Sequence, residues 1–281
     1  MKYKLLALDL DGTLLMRDNT IPQDVADAIA KLMDAGVIVT LSTGRMYPTV
    51  RKYALELGLQ APLICYNGAL IQNAAGDPPL LYSPLPMDLQ KAIIRCGEAN
   101  GWYLQLYQNH HVAAAEVVWE TLADPDSKTL PPVALGKLSA ADLQPSPKMM
   151  SMCTPEEVPF RMASFARATG DRLYIASSTP TLVEMMQKGV CKSEALKVLC
   201  AHYGIRQEEV VVCGDSGNDA DMVAWAGVGC AMANATPALK ELADYICEHN
   251  NSYGVLEVIH RFFSGGIRIT PGGEPYEYPD H

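Results

Sequence analysis

The chain has 281 residues, is 49% hydrophobic and 19% charged, and carries a formal charge of −10 at pH 7. That composition suits a packed globular protein of one large domain or two modest ones. Its acidity argues against nucleic acid or an anionic membrane as the main partner, and no apolar run reaches the ~18 residues of a membrane span.

Residues 3–8 read as a buried strand that starts within three residues of the N-terminus, with no signal-peptide pattern before it. Asp9-Leu10-Asp11-Gly12-Thr13 follows. Side chains alternate along a strand, so an extended chain would point Asp9 and Asp11 the same way before Gly12 lets it turn. Pro22 opens a helix with Val25, Ile29, Leu32 and Met33 on one face, and Gly36 closes it. Residues 37–41 are a continuous apolar and β-branched run, a strand buried on both faces, and Ser42-Thr43-Gly44-Arg45 follows directly. A second helix covers residues 47–57. A third short strand, residues 62–65, ends in Tyr66-Asn67-Gly68. The alternation predicts a parallel sheet with covering helices.

The rhythm changes near Pro84 and Pro86. A helix over residues 87–99 precedes a strand-like run at 102–107, with residues 111–115 as its hairpin partner. Residues 123–147 read as irregular connections. A helix at 159–168 and strands at 173–176 and 182–186 complete a separate α+β unit. The βα rhythm returns with a helix at 192–203 and a strand at 210–213 that runs into Gly214-Asp215-Ser216-Gly217-Asn218-Asp219. A helix at 220–226, a strand at 228–232 and two more helices finish the fold. Residues 265–281 read as a poorly ordered or appended tail. Eight scattered cysteines without a CxxC pair fit a reducing cytoplasm rather than a disulfide scaffold.

Four groups of polar residues therefore fall at strand ends or helix starts: Asp9 with Asp11, Thr43 with Gly44, Lys192, and Asp215 with Asn218 and Asp219. In a doubly wound sheet that edge binds ligands. Carboxylates from two strands can share one Mg²⁺, which favours a few carboxylates plus phosphate oxygens and water. A hydroxyl, a backbone amide, an Asn amide and an ammonium suit a phosphate. One carboxylate can attack phosphorus, and a neighbour can protonate the leaving alcohol.

These pieces resemble the haloacid dehalogenase-like hydrolase superfamily, and within it the Cof-type sugar-phosphatase family. The matching strings are DLDGTL at residues 9–14, LSTGR at 41–45, NGA at 67–69, KGVCKSEAL at 188–196, GDSGNDADM at 214–222 and AMANA at 231–235, with Lys240 and Ala243-Asp244 after it. Ser193 stands where Gly commonly follows the Lys, and Cys191 where Ser is common; neither removes a group the chemistry needs. The resemblance implies an α/β fold, a doubly wound Rossmann-like parallel-sheet core at residues 1–83 and 186–264, with an inserted α+β cap at 84–185. It implies a Mg²⁺-dependent phosphatase acting on a small phosphorylated metabolite, such as a sugar phosphate or phosphorylated cofactor, through an aspartyl-phosphate. Carried over by motif, Asp9 is the nucleophile and a metal ligand, and Asp11 is the acid/base with its carbonyl on the metal. The Leu10 amide, Thr43, Gly44, Lys192 and Asn218 hold the phosphoryl group. Asp215 ligates Mg²⁺, and Asp219 supports that site.

Other residues stay open. Arg45 is either a substrate contact or a structural ion pair, and Asn67 either a plain turn or part of the site. Trp102, Tyr103 and Tyr107 pack the cap or stack on substrate. His110 and His111 face opposite ways if extended, which makes them rim residues rather than a metal pair. A phosphomutase would use the same core. A non-catalytic metabolite-binding module would be marked by loss of Asp9, Asp11, Lys192 or Asp215, and none is lost.

Overall fold

The computed structural model of the protein describes residues 2–177 and 179–263. The tail at 265–281 lies outside the described residues. Five parallel strands form the main sheet, in the spatial order Tyr245–Ile246, Val228–Ala231, Val210–Gly214, Leu5–Leu8, Ile38–Leu41. The first strand is central. Leu5 pairs with Ile38 on one side and Val210 on the other, so the direction in which strands are added reverses beside it.

Both faces of this sheet are covered, which is why its strands are almost wholly apolar. Leu6, Leu8, Val39, Leu41, Val211 and Cys213 face one side, where helices Gln23–Asp34 and Asn251–Phe263 pack. Leu5, Ala7, Val210 and Val212 face the other, against Ala195, Leu196, Leu199 and Cys200 of helix Lys192–Tyr203. Helix Gln23–Asp34 buries Val25, Ala28, Ile29 and Leu32, the spacing of one helical face. Val25, Ile29 and Leu32 each contribute about 1.5–3 kcal/mol by leaving water.

The strand expected at 62–65 does not join this sheet as a regular member. Leu63–Cys65 pairs antiparallel with Leu70–Gln72, which pairs with Leu81–Tyr82. It meets the parallel sheet through the Ser42–Ile64 bridge. The reason lies in Tyr66, Asn67 and Gly68, whose φ angles of 51°, 55° and 104° turn the chain straight back.

Between the two halves of the core, six strands form a second sheet in the order Leu173–Ala176, Leu182–Gln187, Met149–Met152, Gln105–Gln108, His111–Ala114, Val133–Ala134. The hairpin turns at Asn109 and His110, both with positive φ, as a two-residue turn requires. The stretch 123–147 is less irregular than its composition suggests, because Val133–Ala134 extends the sheet as a parallel edge. Helices Met87–Ala99 and Val158–Thr169 cover one face, where Leu106, Met149, Val183 and Met185 pack against Ile93 and Phe165. Alternation sends Tyr107, Met150 and Met186 the other way, toward the parallel sheet. All eight cysteines are free thiols, and no helix among the described residues is long and apolar enough to cross a membrane.

A Cβ added at Gly68 would stand 2.4 Å from the Cys191 carbonyl oxygen, whereas at Gly36 it would meet nothing within 4 Å. G68A is expected to lower the unfolding free energy by roughly 1–3 kcal/mol from backbone strain alone, with the clash added to it. Urea denaturation should show G36A, at φ 85°, losing less.

Candidate active site

Parallel strands end at one edge, and the pairing runs on past them. The Asp9 amide donates to Cys213 O at 3.1 Å and the Ser42 amide to Leu8 O at 2.8 Å. Asp9, Ser42-Thr43 and Asp215 are thereby brought together above the sheet. A cavity of about 410 Å³ opens there, lined from the core by Asp9, Asp11, Thr43, Gly44, Asp215 and Asn218, among others.

Asp9 is buried at its floor. Lys192, 0% exposed at the start of its helix, donates to Asp9 Oδ1 at 2.7 Å and to Asp219 Oδ1 at 2.6 Å. Asp219 Oδ2 accepts the amides of Asp215 and Ser216 at 3.0 Å each, which fixes the loop that presents Asp215. Asp215 accepts the Thr13 hydroxyl at 3.1 Å. Gly12, at φ 79°, gives this carboxylate room: a Cβ there would stand 2.4 Å from Asp215 Oδ2.

Oxygens of Asp9, Asp215 and Asp219 lie within 4.8 Å of one another. Three ionised carboxylates beside one ammonium would leave two negative charges, which one divalent cation would balance. Burial pushes the Asp9 carboxyl well above its ordinary pKa despite Lys192. Burial and then Asp219 push Asp215 up to about 7. For Lys192, burial disfavours the charge, but Asp219 and Asp9 outweigh it and hold the ammonium above its usual pKa. Hard oxygen donors with uncompensated charge fit Mg²⁺. Asp219 already accepts Lys192 and two backbone amides, so Asp9 and Asp215 are the side chains that could hold a metal ion.

Asp9 and Asp11 line the same cavity but in different settings. The strand ends at Leu8, so strand alternation no longer applies, and Asp11 sits in the turn with its side chain 53% exposed. Arg45 grips it through Nε at 2.7 Å and through Nη2, and Nη2 also reaches Asn19 Oδ1 at 3.1 Å. Arg45 is therefore an ion-pair partner of Asp11. Asn67 does more than turn the chain. Its Oδ1 accepts Asn218 Nδ2 at 3.0 Å, and its amide donates to Thr43 O at 2.9 Å, bracing two loops of the site from behind. The Leu10 side chain is wholly buried in the core.

From the opposite sheet, Tyr107 lines the cavity. Trp102 and His111 do not. Trp102 stacks edge-on against Phe165 and Phe160 behind that sheet, and His111 Nδ1 bonds Pro131 O at 2.9 Å. The cap residues that do face the cavity include Asp124, Asp126, Lys148 and Glu184, none of which sequence reasoning singled out. Glu184 alone carried a signal, as a lone charge in the apolar run LVEMM. Asp124 and Asp126 were hidden in a stretch whose Pro, Asp and Ser content reads as loop.

Carboxylates, a buried ammonium and a hydroxyl loop at a parallel-sheet edge are groups for phosphoryl chemistry. Known proteins agree with that geometry. A family model described as haloacid dehalogenase-like hydrolase matches residues 6–259. The chain belongs to the haloacid dehalogenase-like hydrolases. The Bacillus subtilis protein YxeH is 31% identical over 274 residues, 92% of this chain and 97% of that protein. YitU of the same organism, named a 5-amino-6-(5-phospho-D-ribitylamino)uracil phosphatase, is 29% identical over 276 residues, 94% and 98% of the two chains. The crystal structure of a haloacid dehalogenase-like hydrolase from Bacteroides thetaiotaomicron superposes with a TM-score of 0.78 at 26% identity, over 93% of this chain and 100% of that one. Within the family the chain is of the Cof type, and it is a phosphoric monoester hydrolase.

In this hydrolase Lys192 is the counter-charge for two buried carboxylates. K192A is expected to cost about 3–5 kcal/mol of unfolding free energy, the usual effect of stripping one partner from a buried ionic cluster. Urea denaturation in excess chelator measures it, and added Mg²⁺ should recover part of the loss by mass action on the folded state.

Proposed function

We propose that this enzyme hydrolyses small phosphorylated metabolites with Mg²⁺, through an aspartyl-phosphate formed on Asp9. The observation that carries the reading is Asp9 itself: a carboxylate at the floor of a metabolite-sized cavity, oriented by a buried lysine 2.7 Å away. The relative YitU, whose printed substrate is a small phosphorylated metabolite, supports the class.

An Asp9 oxygen attacks phosphorus as the P–O bond to the alcohol breaks. Lys192 anchors Oδ1, which leaves Oδ2 as the attacking atom. The Thr43 hydroxyl, the amides of the 43–44 loop, the Leu10 amide and Asn218 receive the phosphoryl oxygens. Asp9, Asp215 and the Asp11 carbonyl would hold Mg²⁺, which would supply charge neutralisation at the phosphoryl group. Asp11 gives a proton to the leaving oxygen and then takes one from water. Asp11 is paired with Arg45, so that pair must open for Asp11 to reach the leaving oxygen. An incoming phosphate dianion competes for the same guanidinium and provides the means.

Two outcomes are expected. D9N forms no phosphoenzyme when rapid-quenched with an activated aryl or acyl phosphate, whereas D11N labels and then hydrolyses the adduct slowly, with turnover down ~10²–10⁴-fold. Stoichiometric label on D9N would overturn the covalent route. Release of free phosphate, rather than an isomerised ester, separates hydrolysis from mutase chemistry.

Turnover also ceases in excess chelator and returns with Mg²⁺, while Ca²⁺ inhibits because it demands more ligands at longer distances. A phosphate-release assay across the two ions checks both. Full activity in chelator would remove the metal from the mechanism.

A further inference from the structure

The loop proposed to receive the phosphoryl group is tied down at every backbone polar group of residues 43–45 except those of Gly44. The Thr43 amide donates to Ile64 O at 2.9 Å, and Thr43 O accepts the Asn67 amide at 2.9 Å. Arg45 O accepts the Tyr66 amide at 3.0 Å, and the Arg45 amide donates to the Thr43 hydroxyl oxygen at 3.2 Å. Gly44 makes no such contact with the core. Its amide meets no acceptor among the described residues, and Gly44 lines the cavity. A side chain cannot hold it either, because a Cβ there would stand 2.9 Å from Asn67 Oδ1.

The Gly44 carbonyl is held from the cap. Lys148 stands just before strand Met149–Met152 and is 3% exposed. Its ammonium donates to Gly44 O and to Glu184 Oε1, both at 2.7 Å, and lies over the Tyr107 ring at 5.2 Å from the centroid. No other donor among the described residues reaches that carbonyl. Burying an ammonium is costly, and Glu184 offsets the cost from within the cap. The bond to Gly44 is a further one, made across the cavity to the core. Two residues on, Asp126 of the cap accepts the Met46 amide at 2.9 Å, so the cap grips this loop at a second point.

We infer that Lys148 is a positioning residue: by holding the Gly44 carbonyl it keeps the Gly44 amide directed at the transferring phosphoryl group. The inference rests on the phosphatase reading above. A glycine between two anchored neighbours keeps wide freedom in its own torsions. A donor serves a phosphoryl transition state best when it is aimed before the reaction begins. Lys148 removes that freedom at the one residue the core leaves loose. The cap thereby contributes to phosphoryl recognition itself and not only to the choice of alcohol, since the phosphate loop is complete only with Lys148 seated on it.

The test compares the intact wild type with E184Q, which keeps the ammonium, and with K148M/E184Q, which removes it without leaving a buried charge. Calorimetry of orthovanadate binding with Mg²⁺ present reports phosphoryl recognition. Amide hydrogen exchange at Arg45 in the ligand-free protein reports the Gly44–Arg45 peptide. K148M/E184Q should bind vanadate at least about tenfold more weakly than the wild type and E184Q, and exchange the Arg45 amide about tenfold faster, the lower range for one charge-assisted hydrogen bond. K148Q, with its nitrogen one bond nearer the backbone and no charge, should move both readouts the same way and decides if the double variant does not fold. Equal vanadate binding in E184Q and K148M/E184Q overturns the inference. So does weaker binding with an unchanged Arg45 amide, which would make Lys148 itself a contact of the phosphoryl group. A lowered unfolding midpoint with both readouts unmoved would make the role structural and overturn it as well. No hydrolysis of p-nitrophenyl phosphate by the wild type brings down the phosphatase reading, and this inference with it.

Discussion

A lysine ammonium sealed from water between two carboxylates is the constraint around which this protein is arranged. Placing Lys192, Asp9 and Asp219 in the interior costs several kcal/mol of hydration per ion, and their contacts of 2.6 and 2.7 Å offset it only if all three stay in place. That requirement reaches outward. Lys192 must begin its helix at this depth, which brings the Cys191 carbonyl against Gly68 and forces a residue without Cβ there. Asp219 must hold both the ammonium and the amides of the next loop, which places Asp215. The apolar sheet faces supply the stability that permits such a charged centre.

The same centre leaves a charge deficit that gives the site its chemistry. One ammonium does not neutralise three carboxylates; burial first, and the neighbouring carboxylates in addition, push both Asp9 and Asp215 up in pKa. A divalent cation reverses that push by favouring the ionised forms. Asp11 is handled differently, by an exposed ion pair with Arg45 rather than by burial. Two carboxylates two residues apart thus occupy different environments, which suits the separate roles proposed for them.

The two sheets meet across the cavity through few polar contacts. Lys148 reaches the Gly44 carbonyl, Asp126 the Met46 amide, and Thr49 the Thr129 hydroxyl. The Thr49 contact is worth about 0.5–1.5 kcal/mol net, and the two made by Lys148 and Asp126 up to about 1.5–3 kcal/mol each. Two of them end on the loop that follows Thr43. Cap position and the geometry of the phosphate loop are coupled by that placement, with Tyr107 packed edge-on to Tyr66 at 5.3 Å alongside.

The core was legible in the sequence because its physics is local. Residues 5–8, 38–41 and 210–214 announce a doubly covered sheet by being apolar throughout, and parallel strands must end at one edge, so the motif residues after them had to converge. Asp9, Thr43, Asp215 and Lys192 could be placed together on that ground. The direction of Asp11 could not, because whether a strand stops at residue 8 or residue 11 depends on what the next turn packs against. Nor could the early reversal at Tyr66-Asn67-Gly68, where three positive φ angles are sustained by contacts with residues far along the chain. Trp102 reads the same from sequence whether it stacks on substrate or on Phe165, and only packing sent it behind the cap sheet. Asp124 and Asp126 look like loop residues because acidic residues in solvent and acidic residues in a cavity share one composition. Tertiary structure alone decided their setting, since burial against Tyr107 and the Met46 amide arises only when distant segments close over them.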